Sequence, residues 1–116
     1  MMIYDPTPGE SLLLPLIRWN ESRGNYAAPP KNPPYATASG GYQFIVSTLK
    51  EAWQAVHGSL ASCPAYSYLA TPAEQDLLAL WLLRQYGVNS SHAWKASGPY
   101  PSVAAMNYVA SQVAHG

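Results

Sequence analysis

The chain carries six carboxylate side chains, and local sequence patterns account for five of them. Two glutamates stand three residues after a threonine, which is the spacing of a helical capping box, where the carboxylate accepts a backbone hydrogen bond. One aspartate falls near the positive end of a predicted helix, one glutamate falls on a polar helix face, and one aspartate lies in the terminal segment. In that order the five are Glu10, Glu74, Asp76, Glu51 and Asp5. Glu21 is the carboxylate that these patterns leave without a structural role.

Glu21 falls at the end of an apolar run with helical spacing, shortly before Gly24, which places it in the last turn of a helix. The negative end of the helix dipole disfavours a charged carboxylate there. A raised pKa would let the side chain hold a proton near neutral pH, as a general acid must, and Trp19 could help to desolvate it. The alternative is a solvated surface glutamate beside Arg18 and Arg23.

Composition narrows the possible functions. With 48% hydrophobic and 10% charged residues, the chain is expected to fold as one domain without metal or disulfide support. Its six basic and six acidic residues are scattered, so we expect no nucleic-acid partner. Cys63 has no second cysteine to pair with, and His57, His92 and His115 lie far apart, so neither a disulfide nor a metal site is expected. Nine tyrosines and four tryptophans beside so few charges suggest aromatic platforms of the kind that hold sugars or peptides, although aromatic residues more often fill cores.

The first predicted helix starts at a Thr7-x-x-Glu10 capping box with Pro8 in its first turn, and it ends at Arg23. Pro15 either kinks this helix or marks its true first turn. Its apolar face is expected to comprise Leu12, Leu13, Leu16 and Ile17, with Trp19 as a further candidate.

The rest of the chain reads as mainly helical. Residues 27–38 contain four prolines and are expected to be extended, with at most a small hairpin, and residues 58–70 are expected to be irregular. Apolar spacing predicts a helix whose face comprises Ile45, Leu49, Ala52, Trp53 and Val56. A second capping box, Thr71 to Glu74, opens the most buried helix, which ends before Gly87. Residues 91–95 form a predicted turn carrying Trp94. A weaker helix follows Pro101, with apolar positions Val103, Met106, Val109 and Val113.

Two runs in this chain resemble motifs of lysozyme-like peptidoglycan enzymes. The run Glu21-Ser22-Arg23-Gly24-Asn25-Tyr26 is similar to their Glu-Ser-x-Gly-Asn-Tyr/Trp motif, and Gly41-Tyr42-Gln43-Phe44 with Ser47-Thr48 is similar to a Gly-Leu-Gln-Phe segment and its helix. The resemblance is closest to lytic transglycosylases and to the catalytic domain of resuscitation-promoting factors. It extends over residues 11–97, since 71–75, 85–87 and Ala93-Trp94 are similar to that domain's later helix and closing tryptophan. The chain departs from the pattern at Tyr42, in its proline-rich loop and in lacking a disulfide.

The resemblance implies a single lysozyme-like catalytic domain over residues 1–116. Its fold class would be mainly α (α+β lysozyme-like), a small helical domain with an active-site cleft, and residues 98–116 would form a C-terminal helix. Glu21 would protonate the β-1,4 glycosidic oxygen between N-acetylmuramic acid and N-acetylglucosamine. Because the carboxylates offer no obvious second acid, we expect a lytic transglycosylase, in which the substrate's acetamido group assists and a 1,6-anhydro product forms.

The resemblance also suggests substrate-binding residues. Gln43 would lie beside the acid, Ser22 would anchor it, and the tyrosines would line the groove, although ordinary packing explains the tyrosines and Thr48 equally well. A weak similarity of residues 104–108 to an Ala-Tyr-Asn-Ala-Gly segment adds an asparagine. The residues expected to bind substrate are Ser22, Tyr26, Tyr35, Tyr42, Gln43, Thr48 and Asn107.

Two other functions stay open at this stage. One is a hydrolytic muramidase of the lysozyme or endolysin type, and the other is a non-catalytic glycan-binding or virion structural module. We expect a monomer that acts on a peptidoglycan glycan strand at the bacterial cell wall, without cofactor, metal or membrane insertion. Because no signal peptide is recognisable in this sequence, we expect either that the sequence is a trimmed piece or that another component, such as a phage, delivers the protein.

Overall fold

The computed structural model of the chain describes residues 4–90, 93–94 and 100–115, with Ala114 and His115 described as backbone only. Four α-helices lie in these ranges, together with a short 3-10 turn at Ser67–Leu69. The helices are α1 (Pro8–Ser22), α2 (Val46–His57), α3 (Pro72–Tyr86) and α4 (Val103–His115). The prediction of a mainly α domain is confirmed.

The start of α1 matches its predicted capping box. The Glu10 backbone N–H donates to Thr7 Oγ1 at 3.2 Å, and the Thr7 N–H donates to Glu10 Oε1 at 2.7 Å. Pro15 lies inside the helix and does not mark its first turn. Its ring removes the donor that the Ser11 carbonyl would use, and the helix tolerates this because both residues are exposed, where water can hydrate that carbonyl.

The core-facing stripe of α1 differs from the predicted one. Leu13, Leu14 and Ile17 are buried, whereas Leu12 and Leu16 are exposed and Trp19 is 55% exposed. The sequence offers apolar residues on both sides of this helix, so periodicity alone does not say which side meets the core. The packing of α1 against α3 and α4 selects the stripe that contains Leu14.

Helices α2 and α3 pack together and supply most of the core. The predicted face of α2 is buried except for Ile45, which is the exposed N-cap residue, and Gly58 ends the helix with φ 77°. Helix α3 is the most buried helix, as predicted. Its fully buried leucines each contribute about 1.5–3 kcal/mol of hydrophobic stabilisation; they include Leu78, Leu80 and Leu82.

The second predicted capping box is only half formed. Thr71 Oγ1 accepts from the Glu74 N–H at 3.1 Å, but the Glu74 carboxylate lies 2.9 Å from His57 Nε2 on α2. A cross-helix contact between this carboxylate and the His57 imidazole therefore replaces the reciprocal bond to the Thr71 backbone. The complete capping box is the one on α1.

Helix α4 packs against α1 near the N-terminal end of α1. The Gly9 N–H donates to Asn107 Oδ1 at 2.8 Å, and a Cβ atom at position 9 would lie 2.6 Å from the Asn107 backbone nitrogen. Val103 and Met106 are half-buried, but Val109 is exposed and Val113 is 75% exposed. The predicted apolar face of α4 is therefore covered only in its first half.

The proline-rich loop holds the small hairpin allowed by the sequence, reduced to one antiparallel bridge between Asn32 and Ala36. A second isolated bridge joins Ser39 to Phe44, and the Pro33–Pro34 peptide bond is cis. Within the described ranges, none of the helices combines the length and apolar character needed to cross a bilayer.

Candidate functional site

Glu21 lies in the last turn of α1 and is half-buried. It follows Leu14 by seven residues and Ile17 by four, so it continues the core-facing stripe one turn beyond Ile17. The helix then ends at Arg23, whose φ of 58° is left-handed and whose N–H donates to the Trp19 carbonyl at 2.8 Å. The predicted helix end is confirmed, and Glu21 lies at the edge of the core.

The two segments that resemble enzyme motifs meet at Ser22 and Gly41. Ser22 Oγ lies 2.8 Å from the Gly41 carbonyl oxygen and 3.1 Å from that of Arg18, so its proton can be donated to either. A Cβ atom at position 41 would lie 3.0 Å from Arg18 Cδ and 3.1 Å from Tyr26 Cδ1. Glycine at this position lets the turn pack directly against the end of α1.

Gln75 links both segments to α3 through hydrogen bonds. Its Oε1 accepts from the Gly41 N–H at 2.7 Å, and its Nε2 donates to the carbonyls of Tyr26 at 3.0 Å and Ala70 at 2.9 Å. The side chain is 1% exposed, so each of these bonds replaces water. Sequence analysis included Gln75 in the resemblance over residues 71–75 but assigned it no contact, although a glutamine next to the apolar run of a helix was a usable signal.

A polar cluster, here called the Asp76 cluster, joins α1, the glycine turn and α3. It comprises Arg18, Tyr26, Tyr42 and Asp76. The hydroxyls of Tyr26 and Tyr42 both donate to Asp76 Oδ1, at 2.7 Å and 2.6 Å. Arg18 Nη1 donates to the Tyr42 hydroxyl at 3.2 Å and lies 3.6 Å from Asp76 Oδ1, while its guanidinium lies 4.7 Å from the Tyr26 ring centroid. Sequence analysis assigned Asp76 only to the helix dipole and missed these contacts.

The tyrosines of this cluster are hydrogen-bond donors at neutral pH. Burial, followed by the hydrogen bond to Asp76, raises the pKa of Tyr26 to about 12. The same two causes raise the pKa of Tyr42 further. Both hydroxyls therefore stay protonated and donate to Asp76 Oδ1.

Gln43 has a left-handed backbone, with φ 56°. A non-glycine residue in this region costs about 1–3 kcal/mol, and such residues cluster at functional sites. Its Nε2 donates to the Gly40 carbonyl at 2.9 Å. The neighbouring Tyr42 carbonyl accepts from Trp94 Nε1 at 3.2 Å, and Phe44 is buried, so the turn is fixed on both sides of Gln43.

The structure does not bring all the predicted substrate-binding residues together. Ser22, Tyr26 and Gln43 lie at the meeting of the two segments, but Tyr42 is 1% exposed and Thr48 is buried on α2, so neither lines an open groove. Tyr35 is 88% exposed on the proline-rich loop, where it does not pack the loop down.

The placement predicted for Asn107 is wrong. Asn107 bonds Gly9, twelve residues before Glu21, which is about 18 Å along α1. Helix α4 packs near the start of α1, and this carries Asn107 to the end of the helix opposite Glu21.

Most of the other carboxylates take part in helix caps, pairs with basic side chains or hydrogen bonds. Glu10 accepts from Arg84 Nη2 at 2.8 Å and from Arg84 Nε at 2.9 Å, in addition to its capping bond. These Arg84 bonds outweigh the effect of burial and hold the pKa of Glu10 below its ordinary value. Glu74 pairs with His57, and Glu51 accepts from the Tyr86 hydroxyl.

The described part of the chain offers little support for a reaction that uses a metal ion or a cysteine thiol. Within it, no three His, Cys, Asp or Glu side chains lie close enough to hold a metal ion. His92 and the His115 side chain lie outside the described residues. Cys63 is half-buried, and burial raises the pKa of its thiol, which is therefore protonated at neutral pH. An open depression lined by Ala55, Val56, His57 and Gly58 includes none of the predicted site residues.

The chain matches no protein-family model, no curated protein and no solved structure. The functional assignment therefore rests on the residues and contacts described above. The most informative of these is the contact between Ser22 and Gly41.

Proposed function

We propose that this chain is a peptidoglycan-cleaving enzyme with a lysozyme-like fold and that Glu21 is its general acid. One observation carries the proposal. The two segments that resemble the motifs of lysozyme-like enzymes are separated by a proline-rich loop in the sequence, yet they lie against each other, with Ser22 Oγ 2.8 Å from the Gly41 carbonyl oxygen. This contact brings Glu21 and Gln43, the two residues expected at the reaction centre, onto adjoining segments.

The surroundings of Glu21 also support an acid role. Its half-buried position at the edge of the core and at the negative end of α1 disfavours the ionised form. Both effects favour a carboxyl group that reacts from its protonated form.

We assign the anhydro-forming reaction because the other carboxylates are engaged elsewhere or lie at the far end of α1. Glu21 would donate its proton to the glycosidic oxygen between N-acetylmuramic acid and N-acetylglucosamine as the bond to the muramic acid C1 breaks. The substrate's acetamido oxygen would stabilise the positive centre at C1. The Glu21 carboxylate would then take the proton of the C6 hydroxyl while the C6 oxygen bonds to C1. The product is a 1,6-anhydro sugar, and Glu21 regains its proton.

The experiment compares two glutamate-to-glutamine variants on purified murein. Glu21→Gln keeps the side-chain shape but cannot donate a proton, so we expect murein clearing to fall by about 10²- to 10⁴-fold with folding and glycan binding retained. Glu74→Gln is the matched control, because its carboxylate only pairs with His57 on the surface. We expect it to clear murein like the unaltered chain.

Mass spectrometry of the released fragments separates the two chemical routes. Anhydro products are lighter by one water than hydrolytic products. Fragments ending only in reducing muramic acid would contradict the transglycosylase assignment and favour a muramidase. If Glu21→Gln and the unaltered chain are equally inert toward murein, the enzyme proposal fails and a non-catalytic glycan-binding module is favoured.

A further inference from the structure

Asp76 makes contacts that its position in α3 does not require. It is the fifth residue of that helix, just past the first turn, in which Thr71 already supplies the side-chain cap. Its side chain instead reaches away from α3, and Oδ1 accepts from the hydroxyls of Tyr26 and Tyr42. These partners lie 50 and 34 residues away in the sequence, so the carboxylate links distant segments.

One branch of the Asp76 cluster leads to the last turn of α1. Arg18 lies three residues before Glu21 and four before Ser22, so it shares a flank of the helix with both. The Arg18 carbonyl also accepts from the Gly24 N–H at 3.2 Å and lies within bonding distance of Ser22 Oγ. Holding the Arg18 side chain at Asp76 therefore limits rotation of the turn that carries Glu21.

The other branch leads to the glycine turn. The Tyr42 hydroxyl donates to Asp76 and accepts from Arg18, so it connects the two branches at one oxygen. Tyr42, whose ring is buried, directly precedes Gln43 in the sequence. The left-handed backbone of Gln43 depends on its neighbours being fixed. A displacement of Tyr42 would move Gln43 relative to Glu21.

Asp76 also attracts the charged guanidinium of Arg18. Arg18 Nη1 lies 3.6 Å from Asp76 Oδ1 and donates to the Tyr42 hydroxyl, so the carboxylate holds the guanidinium by charge as well as through Tyr42. In an Asp76→Asn variant, the neutral amide would hold the Arg18 guanidinium less strongly than the carboxylate does.

We propose that Asp76 is a positioning residue for the Glu21 reaction, acting through Arg18 and Tyr42 to keep the end of α1 and the Gly40–Gln43 turn at one spacing. This inference rests on the proposed function. Asp76 itself touches neither substrate nor reacting atoms in this scheme. Its effect should therefore appear in the turnover number, while substrate affinity should change little.

The test compares Asp76→Asn with Glu10→Gln. Both changes neutralise a carboxylate that contacts an arginine, but Glu10 acts at the opposite end of α1. At a temperature where both variants are folded, we expect Asp76→Asn to lower kcat on soluble glycan strands about 10- to 100-fold with KM changed less than about twofold. Glu10→Gln should keep both values near those of the unaltered chain. Tyr42→Phe, which keeps the ring and removes the hydroxyl, should repeat the kcat loss even where Asp76→Asn folds poorly.

Amide hydrogen exchange provides a readout that does not need catalysis. We expect Asp76→Asn, but not Glu10→Gln, to speed exchange at Gly24 and Gly41 by about tenfold beyond any change in global stability. If both amides keep their exchange rates, or if kcat falls equally in Asp76→Asn and Glu10→Gln, the positioning role is overturned. An unaltered chain that leaves murein intact while exchange responds as expected would refute the proposed enzyme, and with it the catalytic part of this role, but not the structural link.

Discussion

The two ends of α1 are held by different kinds of contact. At the first end, the Thr7 capping box, the two-bond pair of Glu10 with Arg84 and the packing of Gly9 on Asn107 all stabilise a helix start. Each of these groups has a partner of the type that helix energetics calls for. Nothing at this end needs a function beyond folding to explain it.

The second end combines features that folding alone does not favour. A half-buried carboxyl group lies at the negative helix end, and Arg23 and Gln43 both have left-handed backbones. Three segments converge there through Ser22, Gly41 and the Asp76 cluster. One helix thus has an end built for stability and an end where strain and polarity accumulate, which is the pattern typical of a functional site.

Two glycine substitutions should separate these ends most strongly. Gly9→Ala would place Cβ 2.3 Å from Asn107 Oδ1 and 2.6 Å from the Asn107 backbone nitrogen, and Gly41→Ala would meet the Arg18 and Tyr26 side chains at 3.0 and 3.1 Å. We expect each to lower the free energy of unfolding by about 1–3 kcal/mol, with the larger loss at position 9 because backbone must move there.

Only Gly41→Ala should lower kcat among the molecules that remain folded, by about tenfold, since it displaces the end of α1 near Glu21. Urea denaturation and kinetics on the same preparations would measure both quantities. Equal kcat losses in the two variants would remove the functional distinction between the ends.

An intermediate effect is expected from pH at the first end. The Arg84 bonds hold the pKa of Glu10 below its ordinary value of 4.5, so this carboxylate stabilises the fold above that pH. The stabilisation is lost as pH falls through the lowered pKa. Thermal melts at stepwise lower pH should therefore show the advantage of the unaltered chain over Glu10→Gln shrinking below pH 4.5. A constant difference across that range would show that Glu10 is not held by Arg84.

The smallest effect is expected away from both ends. The pair of Glu74 with His57 has side chains that are each 29% exposed, so Glu74→Gln should change the free energy of unfolding by less than about 1 kcal/mol. Chemical denaturation of this variant sets the baseline against which changes at either end of α1 are judged. A loss well above that value would show that the α2–α3 contact depends on this pair.

Local signals in the sequence predicted the helices well. Thr7 and Glu10 form the expected capping box, and Gly58 and Gly87 follow the ends of α2 and α3. These features depend on residues within one or two turns of each other, so a short stretch of sequence is enough to predict them. The contact between Ser22 and Gly41 joins two motifs that occur in the expected order along the chain. The number of residues between the motifs does not predict this contact.

Features that depend on distant partners could not be predicted in this way. Leu14, rather than Leu12, faces the core because α3 and α4 choose the side of α1 that they cover. Asp76 looked like an ordinary aspartate near the positive end of a helix, because both tyrosines that donate to it come from remote segments. Asn107 was misplaced because a weak motif carries no information about which end of α1 receives α4.

The most direct measurement is the release of soluble muropeptides from murein by two variants of the same helix, Glu21→Gln and Glu10→Gln, beside the unaltered chain. Assays are run at a pH and temperature where all three are folded. We predict that the unaltered chain and Glu10→Gln release 1,6-anhydro-muropeptides at similar rates and that Glu21→Gln releases none above background. Equal release by the two variants, or no release by the unaltered chain, would contradict a catalytic role for the Glu21 end of α1.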